Sequence, residues 1–533
     1  MNRPEGSAET KWEKVSGGLL LLLIVSIPFE FRVPSPYPTH LQLLFFAFMA
    51  ASAPAIFRQR RQLIANRAIV AALLFVTVMW IAAFAGSGSM VNAAKAAARY
   101  SAGAGLLIAL AVRGDTVRVR QAWTAAAVAA AAYALLDFNG FGFPRLFRDM
   151  EFYFEDARRL SGSFEYPNAA AAYYAMSLPI VWAAIERLSW RLAASALLWA
   201  ALILTYSRGA VVAAVVVFAI WALAQRQSRS WAAVAIGLPV FAVLLLQNPL
   251  LEDRIIRTDS RMPRNAAFNL SYNMIRERPD SPAVMPVTIR NTGRDVWRST
   301  GEGKVSLSYY WYDTVRKEIL NADGIDTPLP RDVRPDETVT ISARFHTPAA
   351  SGLYLLDWDL RYPPRNWFTT EGVPPGVVES DIQKDAVSWQ GKGDVSRWYK
   401  KPSDPGPIAA ADLPRSELWR AAVMLAAAHP LLGIGPDNYR LEYGKALGFN
   451  RWDDHLHSNS LYLEILVGGG LFGLAAFFYL LVRVSWSCAS PLLAIGVSLI
   501  HGLLDFFLMT TPIYFGFWIL MGSGLAEAHE DRV

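Results

Sequence analysis

The chain has 533 residues, 53% of them hydrophobic and 12% aromatic. So many apolar runs near the ~20 residues that cross a bilayer exclude an ordinary soluble fold and predict an integral membrane protein. A net charge of +6 spread over short loops argues against nucleic acid as a partner, and the single cysteine, Cys488, excludes a disulfide within the chain or a multi-cysteine metal site.

The N-terminus is polar up to Gly18 and turns apolar at Leu19 without a small-residue cleavage site, which reads as an uncleaved first span. Apolar segments follow at 17–33, 39–57, 67–85, 90–112, 120–138, 168–186, 192–206, 208–224, 231–247, 458–482, 488–504 and 506–524, giving about twelve predicted transmembrane helices. Nine fall in a membrane domain over 1–247 and three in a second part over 458–533. Loops rich in arginine (Arg58, Arg60, Arg61 and Arg67; Arg113, Arg118 and Arg120; Arg187 and Arg191; Arg226 and Arg229; Arg483) alternate with loops, such as Gly86 to Met90, that are read as nearly free of Lys and Arg. Positive loops stay cytoplasmic, so both termini are expected inside and the long polar stretch 248–457 outside.

Within that stretch, 248–281 reads as a connector and 282–362 as a small antiparallel β-sandwich. Its strands are expected at Val284 to Arg290, Lys304 to Tyr312, Glu337 to Phe345 and Leu353 to Tyr362. Turn signals at Asn291-Thr292-Gly293, Asn321-Ala322-Asp323-Gly324 and Ser351-Gly352 separate them. The remainder, 363–457, is rich in Pro, Gly and Asp and contains one helix near 412–428.

The residues able to carry chemistry gather at the outer ends of the spans. Arg159 precedes the sixth span, Arg208 lies between the seventh and eighth, and Lys95 and Arg99 share a face near the outer end of the fourth. Arg415 and Trp419 share a face of the outer helix. Several guanidinium groups on one membrane face suit a pyrophosphate, because the planar fork binds phosphate oxygens in pairs. Taken singly, Lys95, Arg99 and Arg208 read equally as snorkelling anchors, and Arg159 and Arg415 as surface ion pairs. His457 precedes Ser458 and Asn459, two good caps, so its ring is expected at a helix N-terminus, where the dipole would keep it neutral and able to accept a proton. Glu464, seven residues on, would support it from the same helical face. Asp453-Asp454-His455-Leu456-His457 also permits a metal reading, which ranks below the metal-free one. His501 and Asp505, four apart, form a hydrogen-bonded pair in the cavity or tie two helices together.

Four stretches resemble the O-antigen ligase and O-antigen polymerase superfamily of bacterial envelope glycosyltransferases. They are Arg159-Leu160-Ser161-Gly162-Ser163-Phe164 with Pro167-Asn168, and Tyr206-Ser207-Arg208-Gly209-Ala210. Arg415 and Trp419 leading to Pro430-Leu431-Leu432-Gly433-Ile434-Gly435 make the third, and His457-Ser458-Asn459-Ser460-Leu461-Tyr462-Leu463-Glu464 through Gly470-Leu471-Phe472-Gly473 the fourth. In the fourth, Ser458 stands between His and Asn, where the family pattern has none. The Asn291-Thr292-Gly293 turn with Trp297 resembles immunoglobulin-like modules found beside extracellular carbohydrate-active enzymes.

The resemblance implies an all-α polytopic membrane fold of the GT-C type, here with a periplasmic immunoglobulin-like β-sandwich inserted. It also implies a multi-pass protein of the bacterial inner membrane that moves a glycan from undecaprenyl pyrophosphate to an acceptor hydroxyl at the periplasmic face, inverting, with no cofactor and no metal. The acceptor would be lipid A-core for a lipopolysaccharide ligase, or a lipid-linked repeat for a polysaccharide polymerase. Carried over, Arg159 and Arg415 hold the donor pyrophosphate and His457 acts on the acceptor. Arg208, Lys95, Arg99, Asn168, Tyr462 and Glu464 would contribute to substrate binding. The β insertion departs from the usual ligase pattern and keeps open a protein O-oligosaccharyltransferase or a non-enzymatic lipid-linked glycan transporter with an outer β domain.

Overall fold

Apolar helices alternate with polar segments along much of the chain. In a computed structural model the described residues are 11–34, 37–148, 151–154, 157–225, 231–232, 235–247, 264–301, 303–316, 318–321, 324–362, 366–371, 373–392, 413–449, 452–484 and 490–530. Cys488, Arg226, Arg229 and residues 248–263 of the 248–281 connector lie outside them. The chain divides into two compact units. One comprises Met1–Ile256, Arg415–Ala446 and Asp454–Val533, and the other Arg257–Pro414 with Leu447–Asp453.

Local chemistry sets the helix ends in the first unit. Thr39 and Gln42 form a reciprocal capping box at the start of His40–Arg58. Asn66 accepts the backbone N–H groups of Ala68 and Ile69 at the start of Arg67–Ala85. Gly114, at φ +66°, ends Met90–Arg113 in the left-handed conformation. Alanines and aromatics such as Trp123, Tyr173, Tyr174 and Trp518 fill the core between helices.

Among the described residues, four helices are long and apolar enough to cross a membrane: Lys11–Phe29, His40–Arg58, Arg67–Ala85 and Leu461–Arg483. Leu188–Leu204, Arg208–Leu223 and Thr511–Ala526 are apolar but shorter. These are the helices of a multi-pass membrane protein, but the expected twelve-span GT-C-like all-α fold is overturned. Several apolar segments are not continuous helix. The one read at 488–504 is helical, among the described residues, over Ser490–His501, 12 residues, about 18 Å against a hydrocarbon core of roughly 30 Å. The one read at 231–247 is interrupted by a turn at Ile236, after which Gly237–Gln247 is helical for 11 residues. Over 506–524 a short 3-10 turn at Phe507–Met509 precedes the helix that starts at Thr511. Apolar composition recorded burial within the protein as well as burial in lipid.

A hairpin of β1 (Phe152–Phe154) and β2 (Ala157–Arg159) belongs to this unit, with Arg159 opposite Phe152.

The second unit is β. Its strands are β3 (Ala266–Leu270), β4 (Met274–Glu277), β5 (Pro282–Asn291), β6 (Ser306–Asp313), β7 (Glu318–Asn321), β8 (Thr327–Pro328), β9 (Thr338–His346), β10 (Gly352–Tyr362), β11 (Asn366–Trp367), β12 (Gly376–Ile382) and β13 (Trp389–Gly391). Three of them form a sheet in the order β3-β5-β9. The other eight form an open sheet along β13-β4-β12-β10-β6-β7, with β11 on β10 and β8 on β6. The immunoglobulin-like sandwich expected over 282–362 is therefore also overturned. The large sheet is open, β4 and β12 run parallel, and strands lie on both sides of the expected limits. Alternation is plainest in β9, where Val339, Ile341, Ala343 and Phe345 point inward. They share a core with Leu307, Tyr309, Leu356 and Trp358 of the large sheet.

Candidate active site

The β1–β2 hairpin delivers Arg159 to the start of the helix Pro167–Ala184. Its Nε donates to the Thr205 carbonyl at 2.9 Å and its Nη2 to Asn168 Oδ1 at 2.8 Å. The backbone supports this, since Leu160 N–H donates to the Leu204 carbonyl at 2.9 Å. Gly162 turns the chain at φ +58°, where a Cβ would meet that of Ala134 at 2.5 Å. Burial lowers the Arg159 guanidinium to about 10; Asp505 opposes that shift and the like charge of Arg415 adds to it. Arg415 stands exposed at the start of the helix Arg415–Ala428. The two arginines of the third and first motifs thus lie within electrostatic reach of one another.

Sequence reasoning missed the support beneath this hairpin. Asp137 accepts from Arg148 at 2.8 Å and from Arg158 at 3.3 Å, with Asp137 and Arg148 almost fully buried. Glu151 accepts from both arginines, and Arg148 also donates to the Gly162 carbonyl. No periodic signal links these residues, and each arginine alone reads as a span-end anchor.

His457 lies in the turn before the helix Leu461–Arg483. Ser460, not Ser458 or Asn459, is the N-cap, and its side chain makes no capping bond. The imidazole is buried against Phe506, with ring centres 5.1 Å apart, and Nδ1 lies 3.5 Å from Glu464 Oε1. The same carboxylate oxygen accepts the Ser458 N–H at 2.6 Å, which fixes the turn. Burial alone would lower the imidazole, but the Glu464 carboxylate outweighs it and holds His457 above its ordinary value. The expectation of a ring kept neutral by a helix dipole meets an opposing influence: burial lowers the imidazole, and Glu464 together with Asp437 brings it above its ordinary value.

Glu464 also borders a cavity of about 160 Å³ whose other walls include Lys95, Arg99, Tyr100, Asp437 and Tyr514. Lys95 and Arg99 project from successive turns of Met90–Arg113, and the Arg99 guanidinium sits over the Tyr514 ring at 4.8 Å. Asp437 adopts φ +61° and is held by Arg440, whose Nε lies 3.2 Å from its carboxylate. Arg440 in turn donates to Asn92 Oδ1 at 2.7 Å, while Asn92 Nδ2 donates to the Asp437 carbonyl at 2.7 Å. Asn92, Asp437 and Arg440 carry no motif, and only the fold brings Asp437 to the wall with Asn92 and Arg440 holding it.

Glycines let the loop that carries Asp437 lie against the helix of His457. Gly433, at φ +66°, and Gly470, at φ +63°, face backbone so closely that a Cβ would meet the Val467 and Leu431 carbonyl oxygens at 2.2 Å each. The Ile434 N–H donates to the Val467 carbonyl at 2.9 Å across this contact.

The remaining candidates divide. Arg208 is exposed at the start of its helix. Tyr462 donates to the Leu499 carbonyl at 2.9 Å and stacks on Phe478, which ties two helices together and places it away from the cavity walls. His501 Nε2 lies 3.9 Å from Asp505 Oδ2, both buried. His455 is exposed beside Asp454 at 3.1 Å while His457 is buried, so the two histidines do not form one ligand set. Buried polar atoms without a hydrogen-bond partner include Arg99 Nη2, Tyr166 Oη, His501 Nδ1 and Asp505 Oδ2. Tyr166, pushed well above its ordinary value by burial, feels both Asp505 and Arg99 and so joins the two groups of residues. Such a concentration of unsatisfied buried groups is costly unless a polar ligand meets them.

Residues 408–478 match the family model described as O-Antigen ligase, a stretch that contains Arg415, the Gly433–Gly435 turn, His457 and Glu464. No curated protein matches the chain. Among solved structures, the ASH / PapD-like domain of human CEP192 (PapD-like domain 7) is similar at 12% identity and a TM-score of 0.12, covering 26% of this chain and 92% of that one. Alkylpurine DNA glycosylase AlkC from Pseudomonas fluorescens, bound to DNA containing an abasic site analog, is similar at 10% identity and a TM-score of 0.18, covering 70% of this chain and 100% of the other. The C-terminal match and the apolar helices mark a membrane-associated protein with a glycan-handling role.

Proposed function

We propose that the chain is a glycosyltransferase that moves a glycan from a polyprenyl-pyrophosphate donor, of the undecaprenyl type, to an acceptor hydroxyl at the periplasmic face of the bacterial inner membrane. The observation that carries this reading is His457, buried and held above its ordinary basicity by Glu464, whose carboxylate borders a cavity walled by Lys95 and Arg99. Arg159, fixed by Asn168 and Thr205, and the nearby Arg415 supply the planar cations that a leaving pyrophosphate needs.

In this mechanism neutral His457 accepts the proton of the acceptor hydroxyl as that oxygen attacks the anomeric carbon. The new glycosidic bond forms as the bond to the pyrophosphate oxygen breaks, with inversion, and the polyprenyl pyrophosphate leaves with the electron pair. Arg159 and Arg415 stabilise the charge that develops on it, with Lys95 and Arg99 as further cations for the same site. The acceptor is lipid A-core for a ligase or a second lipid-linked repeat for a polymerase.

The test is transfer by purified protein in lipid nanodiscs from an undecaprenyl-pyrophosphate oligosaccharide, each acceptor offered separately, with His457→Ala alongside. Transfer that depends on His457 supports the reading, and the acceptor used assigns the class. Equal activity in the variant would falsify the proposed chemistry.

A further inference from the structure

The cavity beside Glu464 has two kinds of wall, and the transfer chemistry above uses only the cationic one. Asp437 lines the same space as Lys95 and Arg99. A carboxylate there repels a pyrophosphate, so it needs another reason to be present. Pairing with the cavity's cations is not that reason, because its only ion pair among the described residues is with Arg440, at 3.2 Å. The volume of about 160 Å³ is smaller than the roughly 300–1,000 Å³ of sites that enclose a drug-sized ligand. It suits one small polar unit rather than a lipid chain.

Several contacts fix this carboxylate. Asp437 adopts φ +61°, a left-handed conformation that few residues other than Gly, Asn and Asp take readily. Arg440 Nε lies 3.2 Å from each of its carboxylate oxygens. Asn92 donates to the Asp437 carbonyl at 2.7 Å, and the next residue, Asn438, donates to the Ser89 and Ile434 carbonyls at 3.2 and 2.8 Å. Its side chain is still 31% exposed, and a carboxylate offers about four acceptor positions, so Arg440 leaves room for further donors. The Asp437 charge reaches both His457 and Arg99. A rigid acceptor of hydrogen bonds, close to the base and unfavourable to the donor's anion, suits a neutral ring that carries hydroxyls. We propose that Asp437 binds the acceptor saccharide, taking a hydrogen bond from a second hydroxyl while His457 takes the proton of the attacking one. That the saccharide is the acceptor rests on the transfer reading above.

The test uses the full chain in nanodiscs, titrated by calorimetry with two saccharides offered separately. One is core oligosaccharide freed of lipid A, and the other is the repeat released by mild acid from the lipid-linked glycan. Farnesyl pyrophosphate is titrated in parallel as a water-soluble stand-in for the donor's lipid pyrophosphate. Asp437→Asn removes the charge, keeps an oxygen for Arg440 and tolerates the left-handed backbone. Asp437→Gly removes the side chain at no backbone cost, and thermal denaturation confirms that each variant is folded. Both are expected to weaken binding of at least one saccharide about ten-fold or more, the worth of a hydrogen bond to a charged group. Farnesyl pyrophosphate should bind as before or more tightly. Unaltered saccharide affinity in both variants, no saccharide binding by the unsubstituted chain, or equal losses for saccharide and farnesyl pyrophosphate would each overturn the assignment, even if transfer is observed. Saccharide binding that depends on Asp437 without any transfer keeps the site and removes the glycosyltransferase reading, so the two can fail separately.

Discussion

Glu464 Oε1 accepts the Ser458 N–H at 2.6 Å and lies 3.5 Å from His457 Nδ1. One carboxylate therefore fixes the turn that carries the histidine and raises the basicity of its ring. A base works only when neutral, and His457 sits above its ordinary value. The acid limb of the transfer profile should accordingly lie above about pH 6.5, with activity lost as pH falls through the raised pKa. Glu464→Gln removes the charge but keeps the shape and an acceptor for Ser458. The limb should move to lower pH while the maximal rate drops, because the weaker base pulls less on the acceptor proton. A pH–rate series on both proteins decides it; an acid limb that stays in place would show that another group controls it.

Arg159 acts through geometry as well as charge. Its fork holds both the Thr205 carbonyl and Asn168. Arg159→Lys keeps the charge but cannot reproduce two fixed hydrogen bonds. The expected loss is roughly ten- to a hundred-fold in transfer rate, the worth of one charge-assisted hydrogen bond. Asn168→Ala should cost less, since the guanidinium keeps the Thr205 contact. Initial rates at saturating and limiting donor measure both, and a lysine variant as active as the wild type would reduce Arg159 to a simple charge.

The site and the fold were unequally legible in the sequence, for physical reasons. His457, Glu464, Arg159 and Asn168 could be picked out because polar groups at the ends of apolar runs are conspicuous. The pairing of Arg159 with Asn168 could not, because it depends on the hairpin turning at Gly162. Strands expected at 284–290, 304–312, 337–345 and 353–362 overlap β5, β6, β9 and β10, where alternation is strong. β12 and β13 lie in a stretch that Pro, Gly and Asp made look like linker, and the parallel pairing of β4 with β12 spans about a hundred residues that no local pattern connects. The span count failed because hydropathy responds equally to lipid and to a protein core. Alanine-rich helices such as Thr116–Phe138 and short ones such as Ser490–His501 are buried against neighbours.

Two glycine substitutions should separate strain from propensity. Gly470 holds φ +63° and faces the Leu431 carbonyl, so Gly470→Ala meets both a left-handed backbone and a steric contact. A left-handed non-glycine residue costs roughly 1–2 kcal/mol before any clash is counted. Gly18 lies inside Lys11–Ser26 with nothing within 4 Å of its would-be Cβ, so Gly18→Ala should be neutral or stabilising by up to about 1 kcal/mol. Thermal denaturation in one detergent compares them directly. The reverse order of stability would contradict the backbone at Gly470.

The last prediction concerns the charges beneath the hairpin. Asp137 is buried between Arg148 and Arg158, and Arg148 also reaches the Gly162 carbonyl in the loop after Arg159. Removing one partner from a buried ion pair typically costs about 3–5 kcal/mol, because the charge left behind stays desolvated. Asp137→Asn leaves two guanidiniums facing a neutral amide, with only the half-exposed Glu151 to compensate. Lower thermal stability and loss of transfer should therefore appear together. Asp137→Glu, which keeps the charge in a tighter space, should recover part of both. If Asp137→Asn lost activity with unchanged melting, the cluster would be acting on the chemistry itself rather than holding Arg159 in place, and its role as a support would have to be abandoned.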